Sequence, residues 1–145
     1  MRPTTFRFVT LFGSLLITGC KLDGGREKQL EDMVLRQKLV GEWIGNQPIS
    51  TNQVLSWKTI VHFDGTFSTQ NSTYDNAGRL LHFVQVKGKF VVTNGAVVVT
   101  ITKSSDNDRS LPRTIAPEPI VRVDDRELVI ITETGTESVS RRVAR

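Results

Sequence analysis

His82, Val84, Val86, Gly88, Phe90 and Val92 recur at every second position, and Asn94-Gly95 follows them almost at once. A period of two is what an extended chain needs to turn one face inward. Asn-Gly suits a two-residue type I′ turn, because both of its residues accept positive φ. That turn sets Val92 opposite Val97, so Val97, Val99 and Ile101 continue the same apolar face. Turn chemistry and face pattern agree independently.

The β pattern extends beyond this hairpin. Leu55, Trp57, Thr59, Val61 and Phe63 alternate with Ser56, Lys58, Ile60 and His62. A three-residue loop over Asp64-Gly65-Thr66 is expected next, with Phe63 opposite Phe67 and both in the core. Asn76-Ala77-Gly78 marks another turn. Residues 120–123 and 128–132 read as a hairpin across Asp124–Glu127, and Thr134-Gly135 leads to a last strand near 138–143. Between these, Lys103–Pro119 is polar and carries Pro112, Pro117 and Pro119, which predicts a long loop. Seven or eight short antiparallel strands joined by tight turns make an all-β domain, an up-and-down barrel or a strongly curled sheet. One helix precedes them over 26–39, with Leu30, Met33 and Val34 at i, i+3, i+4, a face expected to pack on its own domain or, alternatively, to bind a partner. Asp32 and Arg36 form an ordered i,i+4 pair on it.

The N-terminus follows a different logic. Arg2 and Arg7 precede an apolar run from Phe8 to Thr18, with no acidic residue among them. This is the order of a secretory leader, and the run is too short for a bilayer span, which takes about 20 residues. It ends in Leu16-Ile17-Thr18-Gly19-Cys20, which resembles the lipobox of bacterial lipoproteins. The resemblance implies cleavage between Gly19 and Cys20, a thioether-linked diacylglycerol on Cys20 and acylation, commonly with palmitate, at the new terminus. Cys20 is the only cysteine, and lipidation accounts for an unpaired thiol in an exported chain. Two or three acyl chains make a stable anchor. Lys21 rather than Asp follows the cysteine; in lipoproteins of enterobacteria-like hosts an Asp there retains the protein in the inner membrane, so for such a host the resemblance implies the outer membrane, facing the periplasm. The expected organisation is a leader over 1–19, a tether over 20–25 and a β domain over 26–145.

Removing the leader takes two of the 19 basic side chains and none of the 15 acidic ones, so the formal charge falls from +4 to +2. The basic balance is partly a leader effect and carries no case for nucleic acid.

Leu39-Val40-Gly41-Glu42-Trp43, followed some twenty residues later by Phe63-Asp64-Gly65-Thr66-Phe67, is similar to the lipocalin-like domains of small bacterial lipoproteins. The resemblance implies an antiparallel barrel whose Gly-x-Trp tryptophan, Trp43, plugs one end, with Arg141 or Arg142 stacked on its ring. The family's second motif, Thr-Asp-Tyr-like, is absent.

Catalytic signatures are missing. There is no Gly-x-Ser-x-Gly elbow and no phosphate-cradling glycine loop, so an enzyme is not expected. His62 and His82 alternate onto opposite faces, which predicts a surface and a core histidine and no metal site. Asp106-Asn107-Asp108 lacks the ligand pattern of a calcium loop, and no cofactor is expected. Two functions stay open. In one, the barrel holds a small apolar or amphipathic ligand. In the other, the barrel is filled with side chains and contacts an envelope protein.

Overall fold

The structure, a computed structural model, describes residues 24–106 and 110–144. One helix, α1 (Gly24–Leu39), leads into a sheet of nine strands among the described residues. These are β1 (Gly41–Ser50), β2 (Gln53–Val61), β3 (Thr66–Asp75), β4 (Leu80–Thr93), β5 (Ala96–Ser104), β6 (Arg113–Thr114), β7 (Glu118–Val123), β8 (Glu127–Ile131) and β9 (Glu137–Arg142). Each strand pairs antiparallel with its neighbours, and β1 pairs with β9, which closes eight strands into an up-and-down barrel. The two-residue β6 lies outside that ring, on the edge of β5. Two seams of the ring are narrow: β1–β9 and β5–β7 are joined by two residue pairs each.

The Asn94-Gly95 hairpin forms in the expected register, with Val92 opposite Val97 and both turn residues at positive φ. That register runs as far as Gly88 opposite Ile101, and a bulge between Gly88 and Lys87 then sets Lys87 opposite Lys103. A Cβ at Gly88 would fall 2.1 Å from the Thr100 carbonyl oxygen, so only glycine lets β4 and β5 approach this closely.

The β2–β3 turn departs from expectation by one residue. Val61, not Phe63, faces Phe67, and Phe63 is thrown outward at 76% exposure. The loop is Phe63-Asp64-Gly65, closed by the Gly65 N–H donating to the His62 carbonyl. Gly65 holds φ +88°, and the Asp64 carboxylate accepts from the Thr66 N–H and hydroxyl. A three-residue hairpin wants its glycine third, in the left-handed position, and that preference overrides the apolar character of Phe63.

Three further expectations are corrected. Gly24 and Gly25 belong to α1 rather than to the tether. The connector after Lys103 is shorter than its composition suggests: β5 runs to Ser104, and Pro119 sits in β7 opposite Ala96. Pro is tolerated there because it is the second residue of a short strand joined to β5 by only two pairs.

The helix turns the other way round from its apolar pattern. Leu39 is buried and Leu35 packs on the core, while Leu30, Met33 and Val34 are exposed. What fixes this orientation is polar. The Asp32 carboxylate accepts from the N–H groups of both Asn94 and Gly95 at 2.9 Å, binding the helix to the β4–β5 turn instead of pairing along the helix with Arg36. The Arg36 guanidinium reaches the Phe63 carbonyl at 3.4 Å. Asp32, Leu35, Arg36 and Leu39 recur at three- and four-residue intervals and so form one helical stripe. That stripe closes the base of the barrel, where Leu39, Trp43, Phe67, Phe90 and Val123 make the core.

Candidate functional site

Trp43 is 1% exposed and lies at the base, against the end of α1. Its indole N–H donates to the Leu39 carbonyl at 2.7 Å, satisfying one of the helix's last acceptors. Arg142, its partner across the β1–β9 seam, places its guanidinium 4.2 Å from the ring centroid. The same guanidinium donates from Nη1 to the Val40 carbonyl at 2.7 Å and from Nη2 to the Lys38 carbonyl. A cation at a helix C-terminus is favourable on dipole grounds as well. Gly41 holds φ +143°, and a Cβ there would meet Arg142 Nη1 at 2.4 Å. The Gly-x-Trp spacing therefore has a local cause: glycine clears the space that the arginine fills over the tryptophan. Arg141 points to the other face of β9 and is exposed, so the structure brings Arg142 and Trp43 together and leaves Arg141 apart.

Above this plug the barrel is hollow. A cavity of about 430 Å³ runs from Leu39, Trp43, Phe67 and Phe90 toward the turn that joins β8 to β9. Apolar side chains, among them Leu55, Val97, Val99 and Ile130, form most of its wall. Two polar pairs break it. Thr59 and Thr69 share a hydroxyl–hydroxyl hydrogen bond of 2.9 Å across β2 and β3. The Trp57 indole N–H donates to the Ser140 hydroxyl at 2.8 Å. Trp57 belongs to β2 and Ser140 to β9, so the indole reaches across β1, where Gly45 carries no side chain. A Cβ at Gly45 would fall 2.3 Å from the ring.

Two carboxylates, Glu118 and Glu133, line the same cavity. Burial pushes the Glu118 carboxyl above its ordinary range and the Glu133 charge adds to this, against an opposing hydrogen bond from the Glu133 N–H. A carboxyl whose folded pKa is raised stabilises the fold fully below its unfolded pKa, and that contribution is lost as pH rises through the folded value. Glu118→Gln is therefore expected to melt above the parent at neutral pH, with the difference closing in acid. Melting curves from pH 4 to 8, a range bracketing ordinary and raised carboxyl pKa values, check it, and a pH-independent difference would exclude Glu118 as the group responsible.

Neither carboxylate is marked in the sequence: Glu118 sits between Pro117 and Pro119 in a stretch whose composition predicts a loop, and Glu133 precedes the Thr134-Gly135 turn. The period-two alternation also misplaces His82. Both histidines are exposed, and His82 Nε2 lies 3.4 Å from an Asp106 carboxylate oxygen at the far end of β4. No group of His, Cys, Asp and Glu able to hold a metal ion occurs among the described residues. Gly19 and Cys20 lie outside the described residues, as do Asn107 and Asp108.

These features define a class by architecture: a closed eight-stranded up-and-down barrel, plugged at its helix end and hollow above. Compared with models of known families and with curated proteins, the chain matches none.

Proposed function

We propose that this chain is an envelope lipoprotein, held to a membrane by lipid on Cys20, whose barrel binds a small apolar or amphipathic ligand. The single observation that supports binding is the cavity of about 430 Å³ above Trp43, with its apolar wall. Pockets for small ligands run to about 300–1,000 Å³ and are mostly apolar with a few placed polar groups. Thr59, Thr69, Glu118 and Glu133 are polar groups of that kind. An amphipathic ligand would lay its apolar body along Leu55, Val97 and Val99 and turn its polar end to the carboxylates.

The anchor rests on Leu16-Ile17-Thr18-Gly19-Cys20 following a basic, apolar leader. No helix among the described residues is long and apolar enough to cross a membrane. With Lys21 after the cysteine, the outer membrane facing the periplasm is the proposed location.

A second reading, an interaction protein contacting an envelope partner, is favoured by apolar side chains exposed at the end far from α1. Ile49, Leu80, Leu81 and Phe83 are 45–52% exposed there.

Native mass spectrometry separates the two. The Cys20→Ser protein, with its leader intact, would be purified from a bacterial periplasm. A reproducible extra mass lost on organic extraction is the expected result. A clean apo mass favours the interaction role. Radiolabelled palmitate incorporation by the parent, and none by Cys20→Ser, tests the anchor.

A further inference from the structure

The apolar stripe of α1 that faces away from the barrel has an occupant that charge and chain geometry identify. Leu30, Met33 and Val34 are 55%, 58% and 50% exposed. They occupy i, i+3 and i+4, on the side opposite Asp32, Leu35, Arg36 and Leu39. Phe63, at 76% exposure, stands on the neighbouring turn, held there by the Arg36 bond to its carbonyl. Val34 and Phe63 border one groove at the base of the barrel, together with Lys38, Arg126 and Arg141. Its carboxylates are Asp125 and Glu42, and Glu42 is engaged by Lys58 at 2.6 Å. Glu27 and Glu31 flank the helical stripe, and Arg26 lies on it. The groove thus combines exposed apolar side chains with a basic excess.

We infer that this end of the molecule docks on the bilayer, with Leu30, Met33, Val34 and Phe63 entering the anionic lipid interface. The inference rests on reading Cys20 as the lipid-bearing residue and deepens it. Cys20 and Gly24, the first residue of α1, lie four positions apart in the chain. Even fully extended they span at most about 14 Å. The backbone of the lipid-bearing residue is then never farther than that from the start of the helix, so α1 is kept at the interface at high effective concentration. An amphipathic helix lying in the interface buries its apolar face about 5–10 Å deep, with basic side chains on the headgroups. A few exposed apolar side chains would bind vesicles weakly alone. Beside a covalent anchor they set orientation. Trp43 points toward the membrane, and the cavity runs away from it toward the β8–β9 turn.

The test uses the full, lipidated chain in vesicles of phosphatidylethanolamine and phosphatidylglycerol with brominated acyl chains, which quench tryptophan at short range. Leu30→Trp and Phe63→Trp report the docking face, and Ile49→Trp reports the far end of the barrel. Emission of Trp43 and Trp57 in the parent is the background. The expected result is strong quenching and a blue shift at positions 30 and 63, and neither at 49. Vesicle flotation and intact mass are read on the same samples. A protein that carries its acyl chains and floats, yet shows no quenching at 30 or 63, overturns the docking inference and leaves the anchor standing. A protein with no acyl mass that stays in solution overturns both. A blue shift that grows with protein concentration and is insensitive to bromine assigns the stripe to a second copy and overturns the inference as well.

Discussion

Trp43→Ala is expected to destabilise the domain by about 3–5 kcal/mol and to lower its melting temperature by roughly 10–20 °C. The indole is 1% exposed at the centre of the base cluster, so truncation opens a void that Leu39, Phe67 and Phe90 cannot all close. It also removes the donor that satisfies the Leu39 carbonyl, and an unpaired buried acceptor adds about 1–3 kcal/mol. Arg142 loses the ring beneath its guanidinium, with its Nε already buried and without a hydrogen-bond partner. Trp43→Phe narrows the causes: it keeps an aromatic ring in the base cluster and loses the N–H together with part of the buried volume. A cycle of Trp43→Leu and Arg142→Ala, which removes the aromatic face, should show a coupling of about 0.5–2 kcal/mol, the range of a cation–π contact at a partly desolvated site. Thermal unfolding followed by circular dichroism reads all of these. An unchanged midpoint for Trp43→Ala would remove the plug from the account of the fold.

How much of this was legible in the sequence depended on the range of the determinant. The β4–β5 hairpin was, because Asn94-Gly95 and the alternation on either side are local and point the same way. So was the β7–β8 hairpin, whose Asp124 carboxylate accepts from the N–H groups of Arg126 and Glu127. The β2–β3 register failed because two local signals conflicted. Apolar alternation carried Phe63 inward, while Gly65 at φ +88° demanded the third loop position, and backbone sterics prevailed. The helix face failed for a non-local reason. Leu30, Met33 and Val34 have the right spacing to be buried, but Asp32 is held by a turn more than sixty residues away, and the apolar residues were left outside. The plug lay between these cases. Gly41, Trp43 and a late arginine were suggested by family resemblance alone, and the choice of Arg142 over Arg141 is set by which face of β9 each occupies. The cavity was not legible at all. Its volume follows from how eight strands tilt and stagger on closure, and Thr59, Thr69 and Glu118 carry no motif that marks them as its lining.

Filling that cavity should abolish binding without unfolding the barrel. Thr59 and Thr69 face each other inside it, and their hydroxyls satisfy one another at 2.9 Å. Replacing both partners of a hydrogen bond by apolar groups leaves nothing unsatisfied. Thr59→Phe with Thr69→Phe places two rings in a space of about 430 Å³, where the usual overpacking cost of about 1–3 kcal/mol falls because the volume is free. An uncharged naphthylamine dye, dark in water and bright in apolar surroundings, reads the site directly. The parent is expected to saturate with dye, and the double variant to bind at least about tenfold more weakly, a loss of about 1.4 kcal/mol, while its melting temperature holds. The membrane-docking stripe lies outside the barrel and provides the control. Met33→Gln should leave the dye isotherm unchanged, since that side chain is exposed on α1 and lines no part of the cavity. Equal dye binding by the parent and the double variant would place the dye on the exposed apolar surface and remove the lumen as a ligand site. Loss of binding together with a collapsed melting curve would call for the single Thr69→Phe variant, whose smaller ring load keeps packing and occupancy separable. A single ring that narrows the cavity at Thr69 but leaves affinity intact would rule out a ligand deep in the barrel, at the level of Thr69, and shift attention to the rim at Glu118 and Glu133.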